Sequence, residues 1–500
     1  MLFLLWLLLL GAIAYFMLQR GVSRITRTPV WILWLVMMAP GLIWGSWILI
    51  HRSRQPLPPS LAIAPLVICP CLYWLLILWG RRRDEEQESE GAGERGSAEA
   101  QEMGKKSLPL SQSPSSLRPI DKAEEANLRD CFPWSVYYLQ NLEFRPQAVI
   151  CRGHLRTNSE AAYQTISENV ERCFGDRFLV MFQNSLSGQP FFALVPNPIR
   201  TNTQNPGSNE RLTRPILALS LLAITLFTTT VAGAQIAGVT EKALQSDSSV
   251  LLKGLPYAIA LIIILALHES AHYLTARFYK IRSSLPYFIP LPFFIGTFGA
   301  FIQMQTPIPN RKALFDISIA GPIVGAVISL PFLIWGLANS TVVPMSNQSG
   351  MLNFDSFNPD FSLLLALLSK LTLGSALTPE TAINLHPVAV AGYIGLVVTA
   401  FNLTPVGYLD GGHIVHAMFG QRTSMTIGQI ARFLMFLLGW LEQGFLLWAM
   451  LLFLMPLNDE PTLNDVSELD NWRDFWGLVS LGLLLMILLP APRGLTQLFG

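Results

Sequence analysis

The sequence predicts an α-helical integral membrane protein with about nine transmembrane helices, a re-entrant strand-like loop and a small cytoplasmic α/β domain. Apolar residues make up 51% of the chain and charged residues only 13%, the balance of a protein that lies largely in lipid. The apolar residues also cluster into runs of about 18 to 25, the length that a helix needs to cross the hydrocarbon core. One stretch between these runs has the composition of a globular domain.

The net charge of +1 leaves no large basic surface, so no nucleic-acid partner is expected and the lipid bilayer is the predicted environment. The five cysteines are expected to be reduced and structural. Their spacings match neither a zinc ribbon nor a paired disulfide framework.

A first membrane block is predicted over residues 1–80. Short arginine-bearing loops separate its three apolar runs, which lie near 1–18, 30–50 and 61–80. An Asp/Glu/Gly/Ser-rich stretch follows over 81–118. It has too little apolar content to offset the entropy of ordering it, so a disordered charged linker is expected there.

Residues 119–213 are predicted to form the cytoplasmic α/β domain. The pieces PQAVICRGHL, DRFLVMF and QPFFALV are strand-like, and SEAAYQTISENVERCF between them is helical. This helix places Ala162, Ile166 and Val170 four residues apart on one face, the pattern of a helix packed against a sheet.

The membrane catalytic domain is predicted over residues 214–500. Its apolar runs lie near 215–238, 250–276, 313–338, 385–406, 424–455 and 473–490. The segment 285–309 contains five prolines around an apolar, Gly-containing centre, which predicts a re-entrant or strand-like insertion rather than a spanning helix. The run 424–455 is long for one crossing, and GWLEQG within it leaves one helix or two open. In the 339–384 connection, FSLLLALLSKL is typical of an interfacial helix.

Positively charged residues indicate which side of the membrane faces the cytoplasm. Placing Arg81, Arg211, Arg277 and Lys280 inside orients most of the chain consistently and puts the α/β domain in the cytoplasm. We therefore predict a multi-pass protein of a plasma or thylakoid-type membrane, with the site described next near the cytoplasmic face.

The motif HExxH occurs at His268–His272, near the C-terminal end of an apolar helix. Residues four apart share one face of a helix, so two imidazoles can reach one Zn²⁺ while Glu269 sits beside the water that the metal activates. The alternative is a pair of core histidines and an exposed glutamate. A glutamate inside an apolar run costs about 2 to 3 kcal/mol, which favours a metal site.

A catalytic zinc requires a third protein ligand, and Asp410 is the predicted one. It lies in NLTPVGYLDGGH at the cytoplasmic end of another apolar run, at the same membrane face as His268. His413 and His416 share this segment and are the rival candidates, more consistent with supporting roles. The isolated His51, His154 and His386 are interpreted as ordinary polar residues.

These motifs together resemble the site-2 protease family of intramembrane metalloproteases. An HExxH helix followed by N-x-x-P-x-x-x-L-D-G is typical of that family, and Asn402 to Gly411 fill the second pattern. LFDISIAGPIVG resembles the middle segment of the family. Within it, TTTVAGA, GTFGAFIQM and GHLR are most similar to the plastid and cyanobacterial EGY-like branch, although His154 replaces the asparagine of the motif GNLR.

The resemblance implies a zinc-dependent metalloendopeptidase with one Zn²⁺ per chain on His268, His272 and Asp410. Glu269 would be the general base, and Asn402 would either stabilise the oxyanion or cap and pack the helix. A single-pass membrane protein is the implied substrate.

A protease that works in lipid must satisfy the backbone of the substrate that it unwinds. The segment GTFGAFIQ has the small residues and extended character needed to pair with a substrate by strand addition. The predicted substrate-binding residues are Gly296, Phe298, Gly299, Phe301 and Gln303. The alternative is a buried loop that fills space between helices.

Three other classes of protein remain open at this point. A transporter with an ion relay of buried His, Glu and Asp predicts inverted repeats, which the sequence lacks. A membrane zinc peptidase that trims prenylated proteins would leave the Asn402 to Gly411 pattern without a use. A metal-free scaffold is disfavoured because every predicted catalytic position is filled. The sequence does not indicate an oligomeric state.

Overall fold

A computed structural model of the chain describes most of the residues outside the N-terminal block and the charged linker. The described residues are 28–51, 65, 69, 72, 76, 120–145, 148–185, 188–197, 215–240, 243, 246–291, 295–346, 349–378, 380–441, 443–457 and 459–491. The chain divides into two compact units, Met1–Leu110 and Ser111–Gly500.

In the first unit, helix α1 spans Val30–His51 and confirms the predicted apolar helix near 30–50. The run near 1–18 and the linker 81–118 lie outside the described residues. The run near 61–80 has only four described residues, all of them helical.

The second unit begins with the elements of the α/β domain. They are α2 (Lys122–Asp130), β1 (Tyr137–Arg145), β2 (Ala148–Leu155), α3 (Ser159–Phe174), β3 (Phe178–Asn184) and β4 (Pro190–Pro196). The strands form an antiparallel sheet in the order β1-β2-β4-β3. The predicted strands and helix are confirmed, whereas β1 and α2 were not predicted.

Helix α3 packs on the sheet through the face that its sequence predicts. Ala162, Ile166 and Val170 are its buried residues. Phe182 of β3 stacks on Phe192 of β4, with ring centroids 4.1 Å apart, in the apolar core beneath the helix. The described cysteines are free, and burial raises the pKa of the Cys151 thiol in β2, as expected for a structural residue.

Helices dominate the rest of the second unit. They are α4 (Pro215–Ile236), α5 (Leu255–Phe278), α6 (Arg311–Ala338), α7 (Leu363–Leu373), α8 (Pro387–Leu403), α9 (Asp410–Phe419), α10 (Gln421–Leu441), α11 (Leu446–Leu454) and α12 (Asn471–Leu488). The long run 424–455 therefore forms two helices, α10 and α11, interrupted at Gln443–Phe445.

Two small antiparallel hairpins connect these helices. The first pairs β5 (Tyr287–Pro290) with β6 (Thr297–Phe301), within the segment that the sequence predicts to be strand-like. The second pairs β7 (Thr341–Pro344) with β8 (Thr381–Asn384), on either side of α7.

Three helices in the described part of the chain are long and apolar enough to cross a membrane. They span Pro215–Ile236, Ser248–Phe278 and Arg311–Ala338, the second of them counted with the short 3-10 helix that leads into α5. The chain is therefore a mostly helical membrane protein, and the larger number of about nine spanning helices stays a prediction.

Helices α5, α6 and α8 pack against one another to form the centre of this region. Glycines allow α6 and α8 to approach closely, because a Cβ on Gly392 would lie 2.5 Å from the backbone nitrogen of Leu333. The side chain of Asn310 caps α6 by accepting a hydrogen bond from the Ala313 amide at 2.9 Å. This packing holds α5, the helix with the HExxH motif, against α6 and α8.

Candidate metal centre

The HExxH motif lies on α5 with all three of its chemically active side chains buried. His268, Glu269 and His272 are 3%, 6% and 6% exposed. The two imidazoles share one face of the helix, and their Nε2 atoms lie 3.3 Å apart. Two ring nitrogens at this distance are joined either by an N–H···N hydrogen bond or by a cation that both lone pairs bind.

The tautomer of His272 is fixed by the neighbouring helix. Its Nδ1 lies 2.7 Å from the carbonyl oxygen of Ile317 in α6, so Nδ1–H donates and Nε2 keeps its lone pair. Histidines that ligate metals are oriented in this way by a hydrogen bond from the second ring nitrogen.

Two glycines of α6 make room for the imidazoles. A Cβ on Gly321 would lie 2.0 Å from Nε2 of His272, and a Cβ on Gly325 would lie 2.6 Å from Nδ1 of His268. Both distances are shorter than any real Cβ contact. The segment AGPIVG between the two main motifs therefore has a local reason for its glycines, which sequence reasoning did not find.

Asp410 brings the third candidate ligand atom from the first residue of α9. Its Oδ2 lies 3.3 Å from Nε2 of His272 and 3.8 Å from Nε2 of His268. The preceding turn is tight, since a Cβ on Gly411 would lie 1.9 Å from the carbonyl oxygen of Leu403. The glycines of LDGG thus allow the start of α9 to lie in close contact with the end of α8.

The three ligand atoms fit a zinc ion. Zinc–nitrogen and zinc–oxygen bonds of about 2.0 to 2.2 Å place tetrahedral ligand atoms about 3.4 Å apart. The observed separations are 3.3, 3.3 and 3.8 Å. Throughout the described ranges, no other set of three or more His, Cys, Asp or Glu residues converges in this way.

Neither of the rival histidines, His413 and His416, belongs to the converging set within the described part of the chain. His416 is fully buried, and both of its ring nitrogens contact carboxylates, Nδ1 with Asp459 at 2.5 Å and Nε2 with Asp465 at 2.7 Å. His386 caps α8, with its Nδ1 accepting from the Val388 amide at 3.3 Å.

Asn402 and Glu269 flank the candidate ligands. The amide nitrogen of Asn402, near the end of α8, lies 3.2 Å from Nε2 of His268. Helix α5, which carries Glu269, packs against β6. Asn402 therefore adjoins one of the candidate ligands, and the helix that carries Glu269 adjoins the β5–β6 hairpin.

The predicted substrate residues lie on or beside this hairpin. Phe298 and Phe301 of β6 are 62% and 47% exposed, and Gly299 adopts a φ of +108°. No third strand pairs with the hairpin among the residues that the structure describes. Gln303 lies beyond β6, and its backbone N–H and C=O are both bonded to Ser284 at 2.9 Å.

The turn of the hairpin is held by α4, a contact that sequence reasoning missed. The Thr228 hydroxyl donates to the carbonyl oxygen of Gly296 at 2.7 Å. Gly296 has a φ of +84°, and a Cβ there would lie 2.5 Å from Cα of Thr229. The three consecutive threonines of TTTVAGA were the signal that could have indicated this contact.

Comparisons with known proteins identify the same region. Residues 256–441 match the sequence profile of Peptidase family M50. "Probable zinc metalloprotease EGY1, chloroplastic" of Arabidopsis thaliana is 38% identical over 240 residues, 48% of this chain and 43% of the relative. The protein of the same description from Oryza sativa subsp. japonica is 31% identical over 382 residues, 71% of this chain and 64% of the relative.

"Probable zinc metalloprotease EGY2, chloroplastic" of Oryza sativa subsp. indica is 27% identical over 376 residues, 75% of this chain and 67% of the relative. The chain thus spans less than two thirds of the length of the first two relatives, at 43% and 64%. No solved structure matches the chain.

Proposed function

Because the chain is an EGY-like member of the site-2 protease family, we propose that it is an intramembrane zinc metalloprotease. It hydrolyses peptide bonds in or near the transmembrane segments of membrane-tethered, single-pass protein substrates. The observation that carries this proposal is the convergence of His268, His272 and Asp410 on one point beside Glu269.

The proposed roles follow from the positions of the side chains. His268, His272 and Asp410 hold one zinc ion per chain, which when bound supplies the Lewis acidity that polarises a carbonyl and acidifies water. Glu269 takes the proton from the attacking water and returns it to the leaving amine nitrogen. The Asn402 amide donates a hydrogen bond to the carbonyl oxygen as negative charge develops on it.

The β5–β6 hairpin is proposed to receive the unwound substrate. A substrate that leaves its helical conformation in lipid must find new partners for its N–H and C=O groups. Among the described residues, the outer edge of β6 has no strand partner, so it offers such groups beside α5 through strand addition over Gly296–Phe301. Thr228 and Tyr257 hold the turn that leads into β6, since their hydroxyls donate to the carbonyl oxygens of Gly296 and Ile295.

Proline substitutions test the hairpin. Phe298→Pro and Phe301→Pro remove a backbone donor, whereas Phe298→Ala and Phe301→Ala keep the backbone and remove only the ring. We expect the proline variants to lose most cleavage of a model membrane substrate and the alanine variants to keep most of it. Unchanged cleavage in folded proline variants would refute strand addition.

The site is proposed to lie near the cytoplasmic face of a multi-pass protein in a plasma or thylakoid-type membrane. Arg277 lies in the last turn of α5, and Lys280 and Arg282 follow the helix closely, which supports this orientation. The same orientation makes the α/β domain cytoplasmic. The proposed domains are 1–80, 81–118, 119–213 and 214–500.

Zinc analysis combined with a cleavage assay tests the proposed function. Glu269→Gln keeps the shape of the side chain and removes the base, and the exposed Glu460→Gln is the matched control. We expect zinc in all three purified proteins and cleavage lowered about 10²- to 10⁴-fold only in Glu269→Gln. Wild-type protein without metal would contradict the proposal, as would full cleavage by Glu269→Gln.

The transporter alternative predicts a different outcome of this experiment. An ion relay would leave cleavage absent in the wild type and would make transport depend only mildly on Glu269→Gln. Neither the matched family nor the relatives favour this alternative.

A further inference from the structure

A second buried group of charged residues surrounds His416 on α9. Its imidazole lies between the Asp459 and Asp465 carboxylates, at 2.5 and 2.7 Å, and all three residues are buried. A histidine that contacts an acceptor through each ring nitrogen is stabilised as the protonated imidazolium. It then has no lone pair for a metal, so the role of His416 differs from that of His268 and His272.

The two carboxylates belong to the connector segment, defined here as residues 459–465 between α11 and α12. Asp465 also accepts from the Thr462 hydroxyl at 3.2 Å, and the Gln421 side chain donates to the carbonyl oxygen of Asp459 at 3.0 Å. Arg311 of α6 is buried close by and donates to the Ala417 carbonyl of α9 at 2.8 Å. Arg311 therefore adds a positive charge near Asp465, which helps to offset the burial of the carboxylates.

The connector segment also continues the sheet of the α/β domain. The Phe182 amide of β3 donates to the carbonyl oxygen of Leu463 at 2.7 Å, and the Asp465 amide donates to the carbonyl oxygen of Phe182 at 2.9 Å. The Gln183 side chain donates to the carbonyl oxygen of Thr462 at 2.7 Å. One side of the connector is thus bonded to the edge of the four-stranded sheet.

The other side of the connector is bonded to the residues that precede α6. The Leu463 amide donates to Ile308 at 2.9 Å, and the Asn464 amide donates to Pro309 at 3.0 Å. The next residue, Asn310, caps α6. The connector therefore lies like an added strand between the α/β domain and the start of the helix that carries Gly321 and Gly325.

Helix α9 joins this arrangement to the metal centre. It has ten residues, with Asp410 first and His416 six residues later, about 9 Å along the axis. So short a helix moves as one body. Any shift of its C-terminal half against the connector therefore moves the Asp410 carboxylate relative to the imidazoles.

We infer that His416 is a positioning residue: through Asp459 and Asp465 it fixes the third metal ligand, and the connector couples the α/β domain to that ligand. The inference rests on the proposed function, because it takes Asp410 as a ligand. Supporting residues behind metal ligands typically change metal affinity about 10- to 100-fold when they are removed.

The test measures zinc affinity by chelator competition in the purified full-length protein. His416→Gln and Asp465→Asn are expected to weaken zinc binding about 10- to 100-fold. The exposed Glu460→Gln, one residue from Asp459, is the control and is expected to bind like the wild type. Excess zinc is expected to restore cleavage in His416→Gln and Asp465→Asn, a rescue that misfolded protein would not show.

Gln183→Ala provides a second test from within the α/β domain. It removes one hydrogen bond to the connector and leaves the buried charges in place. We expect zinc affinity to fall about 2- to 5-fold, in keeping with the loss of a single hydrogen bond. If His416→Gln and Asp465→Asn fail to fold, the zinc affinity of Gln183→Ala tests whether the connector couples the α/β domain to Asp410.

The outcomes separate this inference from the proposed function. Wild-type protein that binds no zinc and cleaves nothing contradicts the proposed function itself. Wild-type protein that binds zinc and cleaves, with unchanged zinc affinity in folded His416→Gln and Asp465→Asn, overturns only the positioning role. If those two variants do not fold, unchanged zinc affinity in Gln183→Ala overturns the coupling.

Discussion

Two clusters of histidine and aspartate meet at α9, one at its first residue, Asp410, and one at His416, and their geometry is opposite. In the first, Nε2 of His268, Nε2 of His272 and a carboxylate oxygen of Asp410 converge within 4.8 Å of one another. In the second, two carboxylates lie on opposite edges of the single ring of His416. Convergence aims lone pairs at one point, which a bound cation stabilises, whereas enclosure between two carboxylates stabilises the imidazole itself as a cation.

The difference shows that residue types alone do not distinguish a metal site from a buried ion pair. Both clusters contain histidine and aspartate, and their side chains are buried except that of Asp410, which is 17% exposed. What separates them is whether the second ring nitrogen contacts a carbonyl, as in His272, or a carboxylate, as in His416. The following predictions alter one cluster at a time.

Gly321→Ala is expected to have the largest effect, because its added methyl group would lie 2.0 Å from Nε2 of His272. We expect zinc affinity and cleavage to fall at least about 100-fold while the protein still folds. Gly482→Ala in α12 is the control, since open space surrounds its Cβ position. Chelator competition and the cleavage assay measure the effect, and zinc binding like that of the wild type would show that the first cluster does not converge on a metal.

A pH-dependent loss of stability is expected from the second cluster. Burial alone lowers the pKa of His416, but the hydrogen bonds with Asp459 and Asp465 outweigh it and raise the pKa to about 9. An unfolded histidine has a pKa of about 6.5, so this stabilisation is full below that pH and is lost as the pH rises through 9. Arg311 stays charged over this range and does not reverse the sign.

The melting temperatures of the wild type and His416→Gln therefore differ by several degrees at pH 6, and the difference shrinks toward pH 10. Thermal unfolding followed by tryptophan fluorescence measures it. Asp465→Asn is expected to lower the pH at which the difference disappears. A difference that grows with pH would mean that His416 is neutral in the folded protein.

The smallest effect is expected where the α/β domain touches α6 at the surface. Lys312 lies 3.2 Å from Glu160, and their side chains are 32% and 57% exposed. Exposed pairs of this kind contribute about 0 to 1 kcal/mol, so Lys312→Ala should leave zinc affinity and the melting temperature nearly unchanged. A large loss of zinc affinity in Lys312→Ala would mean that this surface pair, and not the buried connector, couples the α/β domain to the metal centre.

The sequence predicted the features that depend on residues close together in the chain. HExxH places two histidines on one helical face, and the spacing of Ala162, Ile166 and Val170 predicts the buried side of α3. The turn within 424–455 was left open by the sequence. The structure shows it at Gln443–Phe445, where GWLEQG had indicated it.

Features built from distant residues were not predicted. The carboxylates around His416 are 43 and 49 residues away from it, and no motif connects them. Strand β1 was missed because YYLQNLEFR interrupts its alternation at the register shift between Leu139 and Asn141. Asp410 was found from its motif, but its distance to the imidazoles required the folded arrangement of α5, α6 and α9.

Zinc content and X-ray absorption of the purified protein test the central claim most directly. We predict about one zinc ion per wild-type chain, with two imidazole nitrogens and oxygen ligands at about 2.0 to 2.2 Å. In Asp410→Ala the zinc content is predicted to fall sharply, whereas His416→Gln at saturating zinc keeps the wild-type spectrum. Wild-type protein without zinc, or with zinc held by sulfur, would contradict the convergence of His268, His272 and Asp410 on a metal.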